Sequence, residues 1–174
     1  MAITHNRVAT LLVFALLSAT PSIAQGQTNP VVISNFKVGL VCGLNSDRRI
    51  CFETHDIQLT NEGRCVYNRQ LVPCTWYGYS FDYQLPTDIV KLQFESSSSV
   101  PRDVGNPTAE IEKNALVARY EMELRNDTNH FFNPQYTSVS RASLAGTVDQ
   151  NTQSCSYLGE KLFEFTLQLH YPDP

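Results

Sequence analysis

Hydrophobic and polar side chains alternate with a period of two residues in several segments of this chain. The alternation is strict in Leu116–Arg125 and Phe163–Tyr171, and a shorter example is Val90–Glu95. A strand with one face in the core and the other in water produces this pattern, because successive side chains point to opposite faces. These three segments are therefore predicted to be half-buried strands.

Further strands are predicted from β-branched and aromatic content in Val31–Cys42, Ile50–Leu59 and Thr75–Leu85, with Tyr136–Val148 as a weaker candidate. No window of helical length has a 3.6-residue hydrophobic period. Breaks rich in proline, asparagine and other turn residues separate the strands, at Pro86–Asp88, Pro101–Pro107, Asn126–Pro134 and Asp149–Ser154. The pattern predicts an all-β fold, a single antiparallel β-sandwich or a closed β-barrel.

The first 24 residues have the organisation of an export signal. One cation, Arg7, precedes the apolar run Val8–Ala19, and Pro21–Ala24 provides small residues before a cleavage site at Gln25. The run is shorter than the roughly 20 residues that a membrane span needs. We therefore predict a signal peptide over residues 1–24 and a soluble β domain over residues 25–174, secreted or, in a bacterium, periplasmic.

The charge balance narrows the class of partner. The formal net charge is −4, and loss of Arg7 with the signal makes it −5. Nucleic acids and anionic membranes are usually bound by basic patches, so this balance predicts neither as a partner.

Five cysteines in an exported chain predict disulfides. Eight residues with turn chemistry separate Cys42 from Cys51 and also Cys65 from Cys74, so two local bridges fit the spacing. Crossed pairings such as Cys42–Cys65 fit as well, because spacing alone does not determine connectivity. Cys155 is then left over. Its polar neighbours, Asn151–Ser156, predict an exposed thiol that is free or links two copies into a homodimer.

The aromatic segment Thr75–Gln84 is a candidate ligand-binding strand. Tyr77 and Tyr79 share a face with two further aromatic residues, and the core interpretation is favoured for that face. Trp76 lies on the opposite face. A speculative ligand site would use Trp76, Tyr77 and Tyr79, with Trp76 as a stacking platform for a sugar or a partner side chain. The alternative is that Trp76 covers a cross-strand glycine.

The alternation in Ile50–Leu59 changes phase, which predicts a β-bulge across residues 53–56. Glu53, His55 and Asp56 could converge there as an acid–base or metal cluster, although solvated side chains at an ordinary edge bulge are favoured. The chain contains no metalloprotease, serine-hydrolase, phosphate-loop or calcium-loop motif. The prediction is a non-enzyme without a cofactor or metal.

Asn126-Asp127-Thr128 is a glycosylation sequon in a predicted loop. Asn126 is a candidate glycan acceptor if the host is a eukaryote.

Short motifs resemble small secreted proteins of filamentous fungi. These are Val32-Ile33-Ser34-Asn35-Phe36, Cys65 followed by Cys74 beside Trp76, and Tyr79-Ser80-Phe81-Asp82. The arrangement is similar to the family of the major Alternaria allergen over about residues 31–95. The resemblance implies a disulfide-bonded β-barrel, in a family whose type can dimerise through a disulfide and includes effectors and elicitors of plant hosts. Cys42 and Cys51 are additions to that pattern, and Cys155 stands without a local partner.

Three functions follow from these observations. The leading hypothesis is a secreted, non-catalytic interaction protein of the effector, elicitor or inhibitor type, with an unknown protein or glycan partner. The alternative is a secreted or periplasmic module that binds carbohydrate or a small ligand through Trp76. The third is a hydrolase or metal enzyme centred on Glu53, His55 and Asp56.

Overall fold

The computed structural model describes residues 31–43, 47–67, 69–101, 110–111, 116–138 and 142–173. The predicted signal peptide lies outside the described residues. The elements are β1 (Val32–Cys42), β2 (Arg49–Glu53), β3 (Asp56–Gln58), β4 (Gly63–Tyr67), β5 (Gln70–Gln84), β6 (Ile89–Ser98), β7 (Glu110–Ile111), β8 (Val117–Arg125), β9 (His130–Thr137), β10 (Val148–Tyr157) and β11 (Glu160–His170), with a short 3-10 helix at Ala142–Leu144. The all-β prediction is confirmed, and β1, β5, β6, β8 and β11 lie where the sequence pattern placed strands.

The strands form two sheets. The first sheet has the order β2-β1-β5-β4, with β9 also paired to β5, and the second has the order β3-β11-β10-β6-β8-β7. Neighbouring strands are antiparallel, except that β3 runs parallel to β11 at one edge of the second sheet. The predicted antiparallel fold is confirmed, with this three-residue parallel pair added at the edge.

Aromatic side chains fill the space between the two sheets. Tyr79 and Phe81 of β5 are fully buried. The Tyr79 ring centroid lies 5.1 Å from that of Phe165, and the Phe81 centroid lies 5.4 Å from that of Phe163, both on β11 of the opposite sheet. Rings at these separations and tilts gain attraction beyond the burial of their area. Inward-facing residues of both sheets thus form one core.

The segment Ile50–Leu59 is not one strand with a bulge, as its phase change predicted. The amide of Thr54 donates to Val38 of the first sheet at 3.1 Å, and the carbonyl of His55 accepts from Gln168 of the second sheet at 2.8 Å. The chain crosses from one sheet to the other between residues 54 and 55. The core lies between the two sheets, so their inward faces point in opposite directions. When the chain passes from one sheet to the other, the positions that face the core change from one parity to the other.

A register shift lies earlier in the segment, on β2, where Phe52 pairs with Leu40, Ile50 pairs with Val41 and Cys51 is the extra residue. Close to it on β1, Gly39 has a φ of +153°, and a Cβ there would overlap the carbonyl oxygen of Phe52. A glycine is needed because the backbones of β1 and β2 approach closely at this irregularity.

The weaker strand prediction, Tyr136–Val148, is wrong. β9 begins at His130, inside the predicted break Asn126–Pro134, and ends at Thr137, beyond that break. Pro134 is tolerated in β9 opposite Gly78, where a Cβ would overlap the carbonyl oxygen of Asn133. The missing side chain at Gly78 lets the two strands pack at this point.

The predicted break Asp149–Ser154 lies inside β10, which is a central strand of the second sheet. Alternate residues of β10 are buried although three of the four are polar: Asp149, Asn151, Gln153 and Cys155. The break prediction is wrong because it assumed that polar side chains are exposed to solvent.

Hydrogen bonds compensate for the burial of these polar groups. Asp149 Oδ1 accepts from the amide and the hydroxyl of Ser99 at 2.9 and 2.8 Å. Gln153 and Gln135 exchange amide hydrogen bonds of 2.8 and 2.9 Å across the two sheets. Among the described residues, no buried side-chain nitrogen or oxygen lacks a partner. A fully satisfied network of this kind can be buried at little cost.

Cys155 is unpaired, as expected, but it is buried in the core rather than exposed. Its polar neighbours did not indicate solvent, because two of them, Asn151 and Gln153, are buried on the same face. Burial also raises the pKa of the thiol to about 12. A buried, protonated thiol is a poor partner for oxidation, so the expected disulfide-linked homodimer through Cys155 loses its structural basis.

Candidate functional site

Two disulfides close two hairpins at the same end of the first sheet. Cys42–Cys51 links β1 to β2, and Cys65–Cys74 links β4 to β5. Leu40 pairs with Tyr77, so the end of β1 lies beside the middle of β5. We call this region, from the Cys42–Cys51 bridge to the β4–β5 hairpin, the stapled end. The two local pairings that fitted the sequence spacing are present, and such bridges are characteristic of an oxidising compartment.

Trp76 lies at the base of the stapled end, on the outer face of the sheet. Its Nε1 donates to the carbonyl of Arg64 at 3.1 Å, and its ring centroid lies 5.1 Å from that of Tyr136. The Arg48 guanidinium lies 4.0 Å from the centroid of the Trp76 ring. The tryptophan is therefore held on several sides.

This arrangement does not leave an open stacking platform on Trp76. The ring also lies against Gly63 of β4, where a Cβ would be 3.1 Å from Trp76 Cδ1. Covering a cross-strand glycine was the alternative interpretation of this tryptophan. Tyr77 and Tyr79 point into the core from the opposite face of β5. The structure therefore does not bring the three speculative ligand residues together.

The β4–β5 hairpin carries exposed apolar side chains. Val66 and Leu71 are cross-strand partners and are 64% and 72% exposed. Leu71 has the same strand parity as Tyr77, but the second sheet does not cover this part of β5. Tyr67, on the other face of the hairpin, is also exposed. The hairpin thus presents apolar groups on both faces.

Side chains cap the carbonyl groups of β4 that do not face β5. In the β4–β5 register, Tyr67 pairs with Gln70 across the turn, and Arg64 and Val66 alternate with Cys65. The Arg64 carbonyl accepts from Trp76 Nε1, and the Val66 carbonyl accepts from the Tyr136 hydroxyl at 2.8 Å. These bonds fix β4 to β5 and β9, and with the Cys65–Cys74 bridge they hold the hairpin in place.

Arginines outnumber the acids that lie directly beside them at the same end. Four arginines lie between residues 48 and 69, and four acids lie in or next to this stretch: Asp47, Glu53, Asp56 and Glu62. Glu53 pairs with Lys37 at 3.4 Å and Asp56 approaches His170 at 3.4 Å, which leaves Asp47 and Glu62 beside the arginines. Arg48 is half-buried over Trp76, and the other three are exposed: Arg49, Arg64 and Arg69. Net charge could not predict this local excess.

The candidate acid–base cluster does not assemble into one centre. His55 Nδ1 lies 2.9 Å from the carbonyl of Thr166, while Glu53 and Asp56 have the separate partners just given. The described residues contain no group of three or more His, Cys, Asp and Glu side chains that could hold a metal ion. The change of sheet at residues 54–55 separates Glu53 from the other two.

A hydrogen-bonded carboxylate on the outer face of the first sheet was not predicted from sequence. Asp82 accepts from Asn35 Nδ2 at 2.6 Å through one oxygen, and its other oxygen lies 2.7 Å from His130 Nδ1. These bonds, that to Asn35 first, lower the pKa of Asp82. The three residues are on β1, β5 and β9, so only the sheet register brings them together. The arrangement orients an imidazole, but it is solvent-exposed.

A depression of about 960 Å³ lies on the outer face of the second sheet, away from Asp82. Ion pairs cross it, with Arg119 Nε 2.6 Å from Glu95 and Lys161 Nζ 2.7 Å from Glu164. Opposite charges alternate over this face and compensate each other, as on many solvated sheet faces. It offers no focused charge for a ligand.

Asn126, the candidate glycan acceptor, lies in the exposed turn between β8 and β9. Its side-chain amide donates to the carbonyl of Thr87 at 3.1 Å, and Thr128 of the same sequon contacts the Tyr83 hydroxyl at 2.7 Å. Glycosylation would have to replace the first of these bonds, and it stays a prediction for a eukaryotic host.

No family model matches this chain, and no curated protein matches it. In the part of the chain that the structure describes, no helix is long and apolar enough to cross a membrane. The function must therefore be inferred from the geometry of the molecule, and the stapled end is its most distinctive surface.

Proposed function

We propose that this chain is a secreted, non-catalytic interaction protein, of the effector, elicitor or inhibitor type, that binds its partner through the stapled end. The observation that carries the proposal is the exposed pair Val66–Leu71 on a rigid hairpin. Secretion is supported by the signal-like leader and by two disulfides, which persist in oxidising compartments.

The composition of the stapled end supports binding. Trp, Tyr and Arg are the residues most enriched at the energetic centres of protein interfaces. Here Trp76 contacts both Tyr136 and Arg48, on the face of the sheet opposite to the exposed pair Val66 and Leu71. Each exposed Val or Leu side chain that a partner covers contributes about 1.5–3 kcal/mol. Because the hairpin is already held by a disulfide and side-chain hydrogen bonds, little conformational entropy is lost on binding.

Site-directed photo-crosslinking tests the proposal. Leu71→Cys places a new thiol on the exposed hairpin, and it can be labelled with a benzophenone maleimide while the buried Cys155 stays unlabelled. Illumination in a culture of the source organism should give defined adducts at position 71. Their mass would identify the partner directly.

Leu158→Cys is the matched control, since Leu158 is 82% exposed in the turn between β10 and β11. The proposal expects adducts at position 71 that excess unlabelled protein removes, and none at position 158. Equal, non-competed labelling at both positions would show that the stapled end has no preferred partner.

A further inference from the structure

We infer that the stapled end docks onto an anionic lipid surface, with the β4–β5 hairpin lying in the interface between headgroups and acyl chains. The inference rests on the proposed function and names its partner. It starts from the two faces of the hairpin. Val66 and Leu71 are exposed on one face and Tyr67 on the other. A protein groove covers one face of such a hairpin, whereas a lipid interface surrounds both.

The backbone of the hairpin is suited to an environment with little water. Carbonyl groups that have no partner are costly in lipid. β4 pairs with β5 along one edge, and the carbonyls of Arg64 and Val66 accept hydrogen bonds from Trp76 and Tyr136. The hairpin can therefore enter the interface with these edge carbonyls already bonded.

Trp76 and Tyr136 also fit the level of the headgroups. Both residues have an apolar ring and a polar group, and this combination is enriched where protein crosses the membrane interface. They lie at the base of the hairpin, farther from the turn than Val66 and Leu71, and on the face that Tyr67 shares. This face therefore carries an aromatic residue near the turn and two more at the base, and the opposite face carries the aliphatic pair.

Arginines supply the charge. Arg64 and Arg69 are exposed on the hairpin and Arg49 is exposed on β2, with Arg48 over Trp76, against the two neighbouring acids Asp47 and Glu62. Arg69, in the turn, can extend its guanidinium to the headgroups while its aliphatic stem stays in the interface. The net charge of the whole chain predicted no membrane partner, but a lipid surface meets only the nearby charges, within about 10 Å at moderate salt.

Vesicle flotation tests the inference with the full chain. Two vesicle types are used, phosphatidylcholine alone and phosphatidylcholine mixed with phosphatidylserine. We expect at least about tenfold more protein to float with the serine-containing vesicles at low salt, and most of this excess to be lost at high salt.

Variants separate the apolar and charged contributions. Val66→Ser/Leu71→Ser and Arg64→Gln/Arg69→Gln should each reduce flotation at least about tenfold. Leu158→Ser and Lys91→Gln, exposed positions away from the hairpin, are the matched controls and should float like wild type. Unchanged unfolding transitions establish that each variant is folded.

Equal flotation with both vesicle types, no flotation, or flotation that the hairpin variants leave unchanged would overturn the inference. Binding to poly-glutamate in solution is measured as the alternative to binding to vesicles. Saturable binding to poly-glutamate without flotation would assign the end to an acidic polypeptide, which overturns the lipid partner but leaves the proposed interaction function intact. The proposed function would instead be refuted if the photo-crosslinking experiment gave no competed adducts at position 71.

Discussion

The two halves of β5 have the same backbone conformation and opposite surroundings. In the second half, Tyr77 and Tyr79 face the second sheet and are 1% and 0% exposed. In the first half, Leu71 has the same strand parity but is 72% exposed, because the second sheet does not extend over it. One continuous strand therefore contributes to the core at one end and to the surface at the other.

This difference shows what an exposed apolar side chain means here. Apolar residues scattered singly over a surface need no explanation, but a cluster on a rigid projection does. The hairpin that β4 forms with the first half of β5 carries a disulfide, two capped carbonyls and an exposed aliphatic pair. We interpret the covered half as the scaffold and the uncovered half as the contact surface.

The largest expected effect on the free energy of unfolding comes from a substitution in the covered half of β5. Tyr79→Ala should lower the free energy of unfolding by about 3–5 kcal/mol, because it removes a buried ring from the aromatic core. Leu71→Ala, on the same face, should change it by less than about 0.5 kcal/mol. Urea unfolding curves measure both. Similar losses for the two variants would mean that the halves of β5 do not differ in this way.

The next effect concerns the Cys65–Cys74 disulfide, which links β4 to the uncovered half of β5. Cys65→Ala/Cys74→Ala should cost about 2–3 kcal/mol, since the bridge closes a short loop and restricts the unfolded chain. The near-UV circular dichroism of the aromatic core should persist in the folded variant. If that signal disappears, the bridge supports the core and not only the hairpin.

A polar contact between the two sheets should have a comparable or smaller effect. Gln153→Leu should cost about 1–3 kcal/mol, because it leaves the amide of Gln135 without its partner. Gln135→Leu/Gln153→Leu should recover part of that loss, and a double-mutant cycle measures the coupling. Thr152→Val is the control, since Thr152 bonds Thr166 on the outer face of β10. Additive losses would show that the two glutamines are not coupled.

The last effect is absent at neutral pH and appears only as a pH dependence from Cys155. Its pKa is raised by burial from 9.0 to about 12, so the folded state retains the proton that the unfolded chain releases. The contribution is fully present below pH 9 and is lost as pH rises toward 12. A Cys155→Ala variant should lose less stability than wild type over that range. Native wild-type protein should also resist alkylation at pH 8, in contrast to urea-unfolded protein, and rapid native alkylation would show an accessible thiol.

The sequence predicted strands well where burial and hydrophobicity coincide. β8 and β11 alternate apolar and polar residues, and both were located closely. β10 was missed, because Asp149, Asn151 and Gln153 are buried by hydrogen bonding rather than by hydrophobicity. The sheet change at residues 54–55 gave a visible phase slip, but a bulge and a change of sheet produce the same slip in sequence.

The candidate site was predicted only in part. The cysteine spacing fitted both staples, and Trp76 was singled out, although as an open platform. Tyr136 and Arg48 were not connected with it, since they lie 60 and 28 residues away in sequence and meet Trp76 only through the fold. The Val66–Leu71 pair flanks the hairpin turn, but its exposure depends on where the second sheet ends. No sequence pattern contains that information.

The most direct test of the central claim is the free energy of unfolding of Val66→Ser/Leu71→Ser. If the hairpin surface serves contact with a partner and not folding, the double variant should lose less than about 1 kcal/mol, as expected for exposed positions. A loss of about 3 kcal/mol or more, the range of buried apolar side chains, would contradict the account and make the pair part of the core.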